Sequence, residues 1–422
     1  MEQTVLQLHI DGLTSELQGV AHLHSQALFV SGALPGEDVE ARLIARKKRY
    51  AIARLERIVH PAPQRSAPPC PYYEQCGGCA IQHAAYAAQL EYKRQVLAQT
   101  LQRIGGLELA PRPLLGMEQP WRYRNRVMLH RGTDGRLGFY AKGSHDICVI
   151  DSCPLLLPSL NEMLAELTPL CAGMKTLRHL QLRCDHQGGQ MQAVLISEQP
   201  ERLPCLNGVS VWNNYGADSY GLYKRHWRDG GGATPIIEDV SGLRLKLSPA
   251  AFLQVNYQQM LVMYRQIAEL AALDSGDTLL DLYAGAGSIG LYLARRVSRL
   301  IGVESYAPAA TDAAENARLN AIGNAEFIAE AAERFLPRYV QQGGAADVLI
   351  LDPPRAGCAP ELLRAAAASG ARAIVYASCD AATLARDLRL LAALGYQPQA
   401  VQPLDMFPQT AHMETVCLLS RE

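Results

Sequence analysis

The stretch CPYYEQCGGC brings Cys70, Cys76 and Cys79 within ten residues, beside a Gly-Gly pair that lets the backbone fold tightly around whatever the sulfurs hold. Three thiolates so close suit a thiophilic metal, as an iron-sulfur cluster or zinc, and a fourth ligand must come from elsewhere; Cys148 and Cys153 are the candidates. Far downstream, Cys379 in YASCD stands between a strand-like run and a helix-like run, where the positive end of a helix dipole favours thiolate. Glu414, in AHMETVCLL, heads an apolar final strand, as either a solvated edge carboxylate or a base presented to a site. Between them DLYAGAGSIG spells a literal G-x-G-x-x-G at Gly285, Gly287 and Gly290, and Glu304 follows nineteen residues after the first glycine. That is the pattern of a nucleotide turn with a ribose-binding acid. Asp352-Pro353-Pro354 ends another apolar run in a rigid turn able to hold a planar group beside a cofactor.

Positioning these groups requires particular elements. From about Ser248 strands and helices alternate: DTLLDLYA, a helix from Ser288, RLIGVES, a helix from Pro308, AEFIAE, DVLILDPP, a helix from Pro360, RAIVYAS, a helix from Ala382, then two strand-like runs. This period predicts an α/β fold, a doubly wound parallel sheet whose strand ends place Tyr283, Glu304, Asp352 and Cys379 on one rim. Residues 1–60 read instead as short strands of a small antiparallel, OB-like barrel, and PAPQRSAPP as a linker. Residues 61–245 are expected to form an α+β central domain with the cysteine cluster and a helix over about Ala84 to Ile104. The final domain spans 246–422.

A chain of 422 residues is long enough for two or three domains. No run of eighteen apolar residues occurs, so no membrane span is expected, and the start MEQTVLQLHIDG lacks the basic and apolar regions of a signal peptide. A cytoplasmic location is therefore the expectation, and the chain is expected to act as a monomer. Eleven cysteines, an odd number, argue against a disulfide framework there. Cys171, Cys184, Cys205, Cys358 and Cys417 read as small buried hydrophobes. The net charge of -1 exerts no global pull on nucleic acid, but Arg42 to Arg65 holds eight Lys or Arg against Glu56 alone. WRYRNRV, at 121–127, reads as a strand with Arg122, Arg124 and Arg126 on one face for phosphates. Tyr123 is then available for stacking on bases.

These residues resemble the S-adenosylmethionine-dependent RNA uracil-5-methyltransferases of the RlmD/TrmA type, over nearly the whole chain. The barrel is similar to a TRAM domain. CPYYEQCGGC with Cys153 resembles the family's four-cysteine [4Fe-4S] site, and QVN at Gln254 to Asn256, DLYAGAGSIG, GVES, LDPPRAG, YASCD and DMFPQTAHMETV resemble its methyltransferase motifs in order. The resemblance implies a class I methyltransferase sheet and ligation of the cluster by Cys70, Cys76, Cys79 and Cys153. It implies cofactor contacts by Gln254, Tyr283, Glu304 and Asp352, with Cys379 as nucleophile and Glu414 as proton acceptor. Ser288 stands where some members carry an asparagine that contacts the cofactor. In this setting Gly290 becomes a helix-packing glycine rather than part of a pyrophosphate site. The RNA partner implied is 23S ribosomal RNA, with a transfer-RNA uridine as the alternative. Two other classes fit parts of the pattern: an iron-sulfur, dinucleotide-dependent oxidoreductase, and a non-catalytic RNA-binding module.

Overall fold

The computed structural model describes residues 5–24, 26–220, 223–231 and 233–421. Apolar-polar alternation over the first sixty positions yields β1 (Val5–His9), β2 (Gly12–Leu13), β3 (Gly19–Leu23), β4 (Gln26–Ser31), β5 (Asp38–Arg46) and β6 (Tyr50–His60). They form one sheet, ordered β1-β5-β6-β4-β3-β2, around Leu8, Ile10, Leu28, Val30 and Val39. Much of the basic run is neutralised inside this sheet: Glu56 receives Arg42 and Arg54, and Glu40 receives Arg57. Arg46, Lys47, Lys48 and Arg49 remain exposed around the β5–β6 turn, so the expected basic surface narrows to that tip.

The proline-rich stretch after β6 has neither helix nor strand, but it is pinned rather than loose. Arg65 forks onto the wholly buried Glu37, which also accepts the amides of Leu34 and Ala62. Burial disfavours the Glu37 charge, but Arg65 and the two amides outweigh it and hold the carboxyl below its ordinary value.

The central region starts with α1 (Tyr86–Thr100) and continues with β7 (Arg126–Arg131), β8 (Leu137–Tyr140), β9 (Ile147–Val149), α2 (Pro158–Cys171), β10 (Leu177–Cys184), β11 (Met191–Ser197), β12 (Val209–Tyr220) and β13 (Tyr223–Asp229). Its sheet runs β13-β12-β11-β10-β7-β8-β9, with Leu160, Leu164 and Leu167 of α2 packed on Leu129, Leu180 and Leu195. The strand expected over 121–127 begins only at Arg126. Arg122 takes a left-handed φ of 51°, and Tyr123 and Asn125 are buried, which removes Tyr123 as a stacking surface. Cys171, Cys184, Cys358 and Cys417 are buried as expected, whereas Cys205 is exposed.

A hairpin of β14 (Ile236–Val240) and β15 (Leu243–Leu247) leads into α3 (Tyr257–Ala271). Then follow β16 (Thr278–Leu282), α4 (Ser288–Leu293), β17 (Arg299–Glu304), α5 (Ala307–Leu319), β18 (Ala325–Ala329), α6 (Ala332–Gln341), β19 (Val348–Leu351), α7 (Pro360–Ala368), β20 (Ala373–Ser378), α8 (Ala381–Ala393), β21 (Tyr396–Leu404) and β22 (Glu414–Arg421). The sheet order is β18-β17-β16-β19-β20-β22-β21. The first five strands pair in parallel, and β22 lies antiparallel between β20 and β21. Residues of α3, α4 and α5 pack on one face, those of α6, α7 and α8 on the other, giving the doubly wound class I methyltransferase sheet that was expected. The order reverses between β17-β16 and β19, the switch point at which such sheets bind ligands.

Unforeseen were α3, α6 and the β14–β15 hairpin. Leu97 and Leu101, in and just after α1, join the core of this last sheet rather than that of the central one. Among the described residues no helix is long and apolar enough to cross a membrane.

Gly290 is a packing position. A Cβ there would lie 2.7 Å from Asp281 Oδ2 and 3.1 Å from Leu300, while the Gly290 amide donates to that same carboxylate at 2.9 Å. Gly290→Ala should destabilise this domain by about 1–3 kcal/mol. The check is a lower urea midpoint; an unchanged midpoint contradicts the packing role.

Candidate active site

The glycine turn follows β16 with Tyr283 (φ 68°), Gly285 (φ 56°) and Gly287 (φ 81°) all left-handed, so the chain reverses sharply into α4. A Cβ on Gly285 would meet nothing within 4 Å, which leaves open space over the backbone for a ligand. Glu304, at the end of β17, accepts the Gly285 amide at 3.0 Å and the Tyr306 amide at 2.6 Å. Each oxygen of a carboxylate can accept more than one bond, so this acid can still receive hydroxyls. Below the turn, Asp281 is buried with Oδ1 unpartnered, and burial pushes its pKa up to about 7. Tyr283 sends its hydroxyl to Glu333 of α6 at 2.7 Å, which leaves the ring as the part able to line the opening. Ser288 accepts the Tyr264 hydroxyl at 2.7 Å. Gln254 is buried ahead of α3, and Asn256 caps that helix by accepting the Gln259 amide.

A second group forms at the ends of β19, β20 and β22. The loop Asp352-Pro353-Pro354-Arg355 after β19 is fastened to α8: Thr383 donates to the Arg355 carbonyl, Arg386 to that of Ala356, and Asp387 accepts the Cys358 amide at 2.8 Å. Cys379 immediately precedes the same helix, so α8 holds loop and thiol in one frame. The β20–β22 register, Ser378 opposite Thr415, brings Glu414 beside Cys379. Glu414, Arg355 and Asp352 all act electrostatically on Cys379, and Asp352 and Arg355 act on Glu414 as well.

Glu414 is buried, its Oε2 has no partner, and loss of water, reinforced by Asp352, pushes its pKa well above the ordinary carboxylate value against the pull of Arg355. Asp352 rises to about 7 through burial. The Cys379 thiol rises to about 11, first through burial and then through Glu414. This overturns the thiolate expected from the helix dipole. The N-cap of α8 is filled by Asp380, which accepts the Thr383 amide at 2.8 Å, and desolvation dominates what field remains.

The four cysteines lie apart from this group. Cys70, Cys76, Cys79 and Cys153 line one cavity of about 240 Å³ with Tyr72 and Arg124, whereas Cys148 does not line it. Burial, with the neighbouring sulfurs adding to it, raises Cys76 to about 11 and Cys79 to about 12. Among the described residues no three His, Cys, Asp or Glu side chains are grouped to hold a single metal ion.

Arg355 and Asp281 stand inside the motifs LDPPRAG and DLYAGAGSIG, but no role was read for either from the sequence. Sequence reading also passed over His412, whose ring meets the Arg355 guanidinium at 3.4 Å. No sequence signal pointed to Glu333.

Residues 241–422 match the model of the tRNA (uracil-5-)-methyltransferase family, and residues 1–55 match that of the TRAM domain. The chain is 37% identical to an uncharacterized RNA methyltransferase of Listeria innocua, covering 98% of this chain and 97% of that one. It is 35% identical to one of Clostridium tetani, with 98% and 95% covered. Its fold is similar to the crystal structure of the Pyrococcus abyssi tRNA (uracil-54, C5)-methyltransferase in complex with S-adenosyl-L-homocysteine. The TM-score is 0.79 at 28% identity, over 98% of this chain and 99% of that one.

In the ligand-free protein a thiol raised to about 11 is almost wholly protonated at neutral pH. Alkylation of Cys379 by iodoacetamide, followed by peptide mass spectrometry, should therefore rise about tenfold per pH unit from pH 7 to 9 without levelling. A plateau below pH 8 contradicts the buried, acid-flanked environment.

Proposed function

The chain belongs to the tRNA (uracil-5-)-methyltransferase family, and from that premise we propose that it methylates C5 of a uridine in structured RNA through a covalent adduct on Cys379. The observation that carries this reading is the pairing of a half-buried thiol with a buried, partnerless carboxyl, Glu414, at adjacent strand ends beside Asp352. S-adenosylmethionine supplies, when bound, an electrophilic methyl on a cationic sulfur. Tyr283, Gln254 and the open turn at Gly285 line its pocket in this reading.

Cys379, once deprotonated, adds through sulfur to C6 of the uracil, and the ring electrons move onto C5 and O4 as an enolate. C5 takes the methyl group while the carbon-sulfur bond of the donor breaks with its electron pair left on sulfur. Glu414, as carboxylate, then removes the C5 proton, and the electrons released restore the C5–C6 double bond and expel the Cys379 thiolate. An elevated pKa makes Glu414 a stronger base once ionised. The uracil must leave its stack to reach Cys379, so the RNA is flipped or single-stranded there. RNA recognition falls to the TRAM barrel, with its exposed basic tip, and to the central region.

We assign 23S ribosomal RNA as the target, on the combination of TRAM domain and four-cysteine site. A second reading, a tRNA uridine, is favoured by the whole-chain similarity to the Pyrococcus abyssi enzyme. We further assign a [4Fe-4S] cluster to Cys70, Cys76, Cys79 and Cys153. Four thiols lining one cavity support this assignment.

Incubation with labelled S-adenosylmethionine and either 23S rRNA or tRNA tests the reaction and the target together. Label in C5 of uridine is expected; it should vanish in Cys379→Ala, and Glu414→Gln should accumulate an RNA-protein adduct. Absence of transfer to both RNAs by the wild type overturns the proposal. Protein purified without oxygen should be brown with broad absorption in the blue; a colourless protein with stoichiometric zinc refutes the iron-sulfur assignment.

A further inference from the structure

The segment between β21 and β22, residues 405–413, leads directly into Glu414 and is held by groups from three distant parts of the chain. Lys93 of α1, wholly buried, donates to Asp405 Oδ1 at 2.6 Å, to the Phe407 carbonyl at 3.1 Å and to the His412 carbonyl at 2.8 Å. One ammonium thus ties together the beginning, middle and end of the segment. Tyr86, on the same helix, donates to Asp405 Oδ2 at 2.8 Å. The cysteine loop reaches the segment as well: the amides of Ala80 and Ile81, just after Cys79, donate to the Gln409 carbonyl at 2.9 and 3.2 Å. Gln409 is left-handed at φ 71°, and its side chain accepts from Gln89 at 2.9 Å. Tyr123, packed near Cys79 and Cys153, donates its hydroxyl to the Pro408 carbonyl at 3.0 Å.

A strained residue persists only where its surroundings over-determine it. Here those surroundings are the cysteine site on one side and α1 on the other. None of these groups is placed at the reacting atoms, yet together they fix where the chain stands when it enters Glu414.

We propose that residues 405–413 form a strap that couples the cysteine site to the catalytic base, with Lys93 as the positioning residue at its centre. The inference rests on the methyltransferase reading of Cys379 and Glu414. The strap governs proton abstraction more than binding, because it ends at Glu414 and not at the glycine turn. Loosening it leaves nucleophilic addition and methyl transfer in place and delays release of Cys379, so enzyme accumulates bound to methylated RNA.

The test uses the full chain with Lys93→Met and Asp405→Asn combined, which avoids an unpaired buried charge but removes the bonds to the Phe407 and His412 carbonyls. Tyr123→Phe serves as a milder variant that keeps the core shape. In the double variant turnover should fall about tenfold or more while KM for both substrates stays within about twofold, and the denaturation-resistant RNA adduct should increase severalfold, as in Glu414→Gln. Tyr123→Phe should move the same quantities in the same direction by less. Hydrogen exchange of the 405–414 amides should quicken in wild-type protein stripped of its cluster by a chelator.

Turnover and adduct at wild-type values in the double variant overturn the proposal. Lost turnover without adduct, which marks a general structural lesion, overturns it too. Unchanged exchange after stripping removes the link to the cysteine site. Absence of methyl transfer by the wild type overturns the underlying function instead, and the exchange measurement still judges the strap.

Discussion

Glu414 is a carboxyl group removed from water at the first residue of a strand, with one oxygen left unpaired. Burying an ionised carboxylate without compensation is costly, so burial favours the protonated form of this group. Much of the C-terminal domain serves to hold it in that state. An antiparallel β22 slotted between β20 and β21 carries it to Cys379, and the Asp352 loop, clipped to α8, closes the other side. The same desolvation keeps the Cys379 thiol protonated.

The regions ahead of this sheet act as its scaffold. Leu97 and Leu101 complete the core under the sheet, Lys93 and Tyr86 secure the approach to β22, and Asn256, while capping α3, donates to the Met406 carbonyl at 3.0 Å. A buried ion pair such as Lys93 with Asp405 adds little net stability over an apolar pair but fixes geometry strictly, because either partner alone is strongly disfavoured. Its value here lies in specifying one path for the chain.

The glycine turn shows how letters and structure divide the work. Gly285 and Gly287 carry the left-handed conformations that the motif demands, and Glu304 seals the turn through the Gly285 amide. Gly290, the third letter of the apparent dinucleotide pattern, is set by contact with Asp281 and Leu300, a matter of packing and not of phosphate. WRYRNRV diverged for a related reason. Burial alternates along it as the sequence suggested, but the burial of Tyr123 and its bond to Pro408 are contacts with a segment almost three hundred residues away.

The sequence by itself determined the alternation of strands and helices in the last domain and the close spacing of Cys70, Cys76 and Cys79, since periodicity, turn residues and thiol spacing are local properties of the chain. It also determined that Cys379 would stand at a helix start. Only the tertiary structure decided that this thiol is raised rather than lowered, that Cys153 and not Cys148 completes the cavity, and that α1 braces the strap to Glu414. Those outcomes depend on desolvation and on charges and amides brought in from remote segments. Such effects depend on distances in space, not along the chain, and leave no trace in residue spacing.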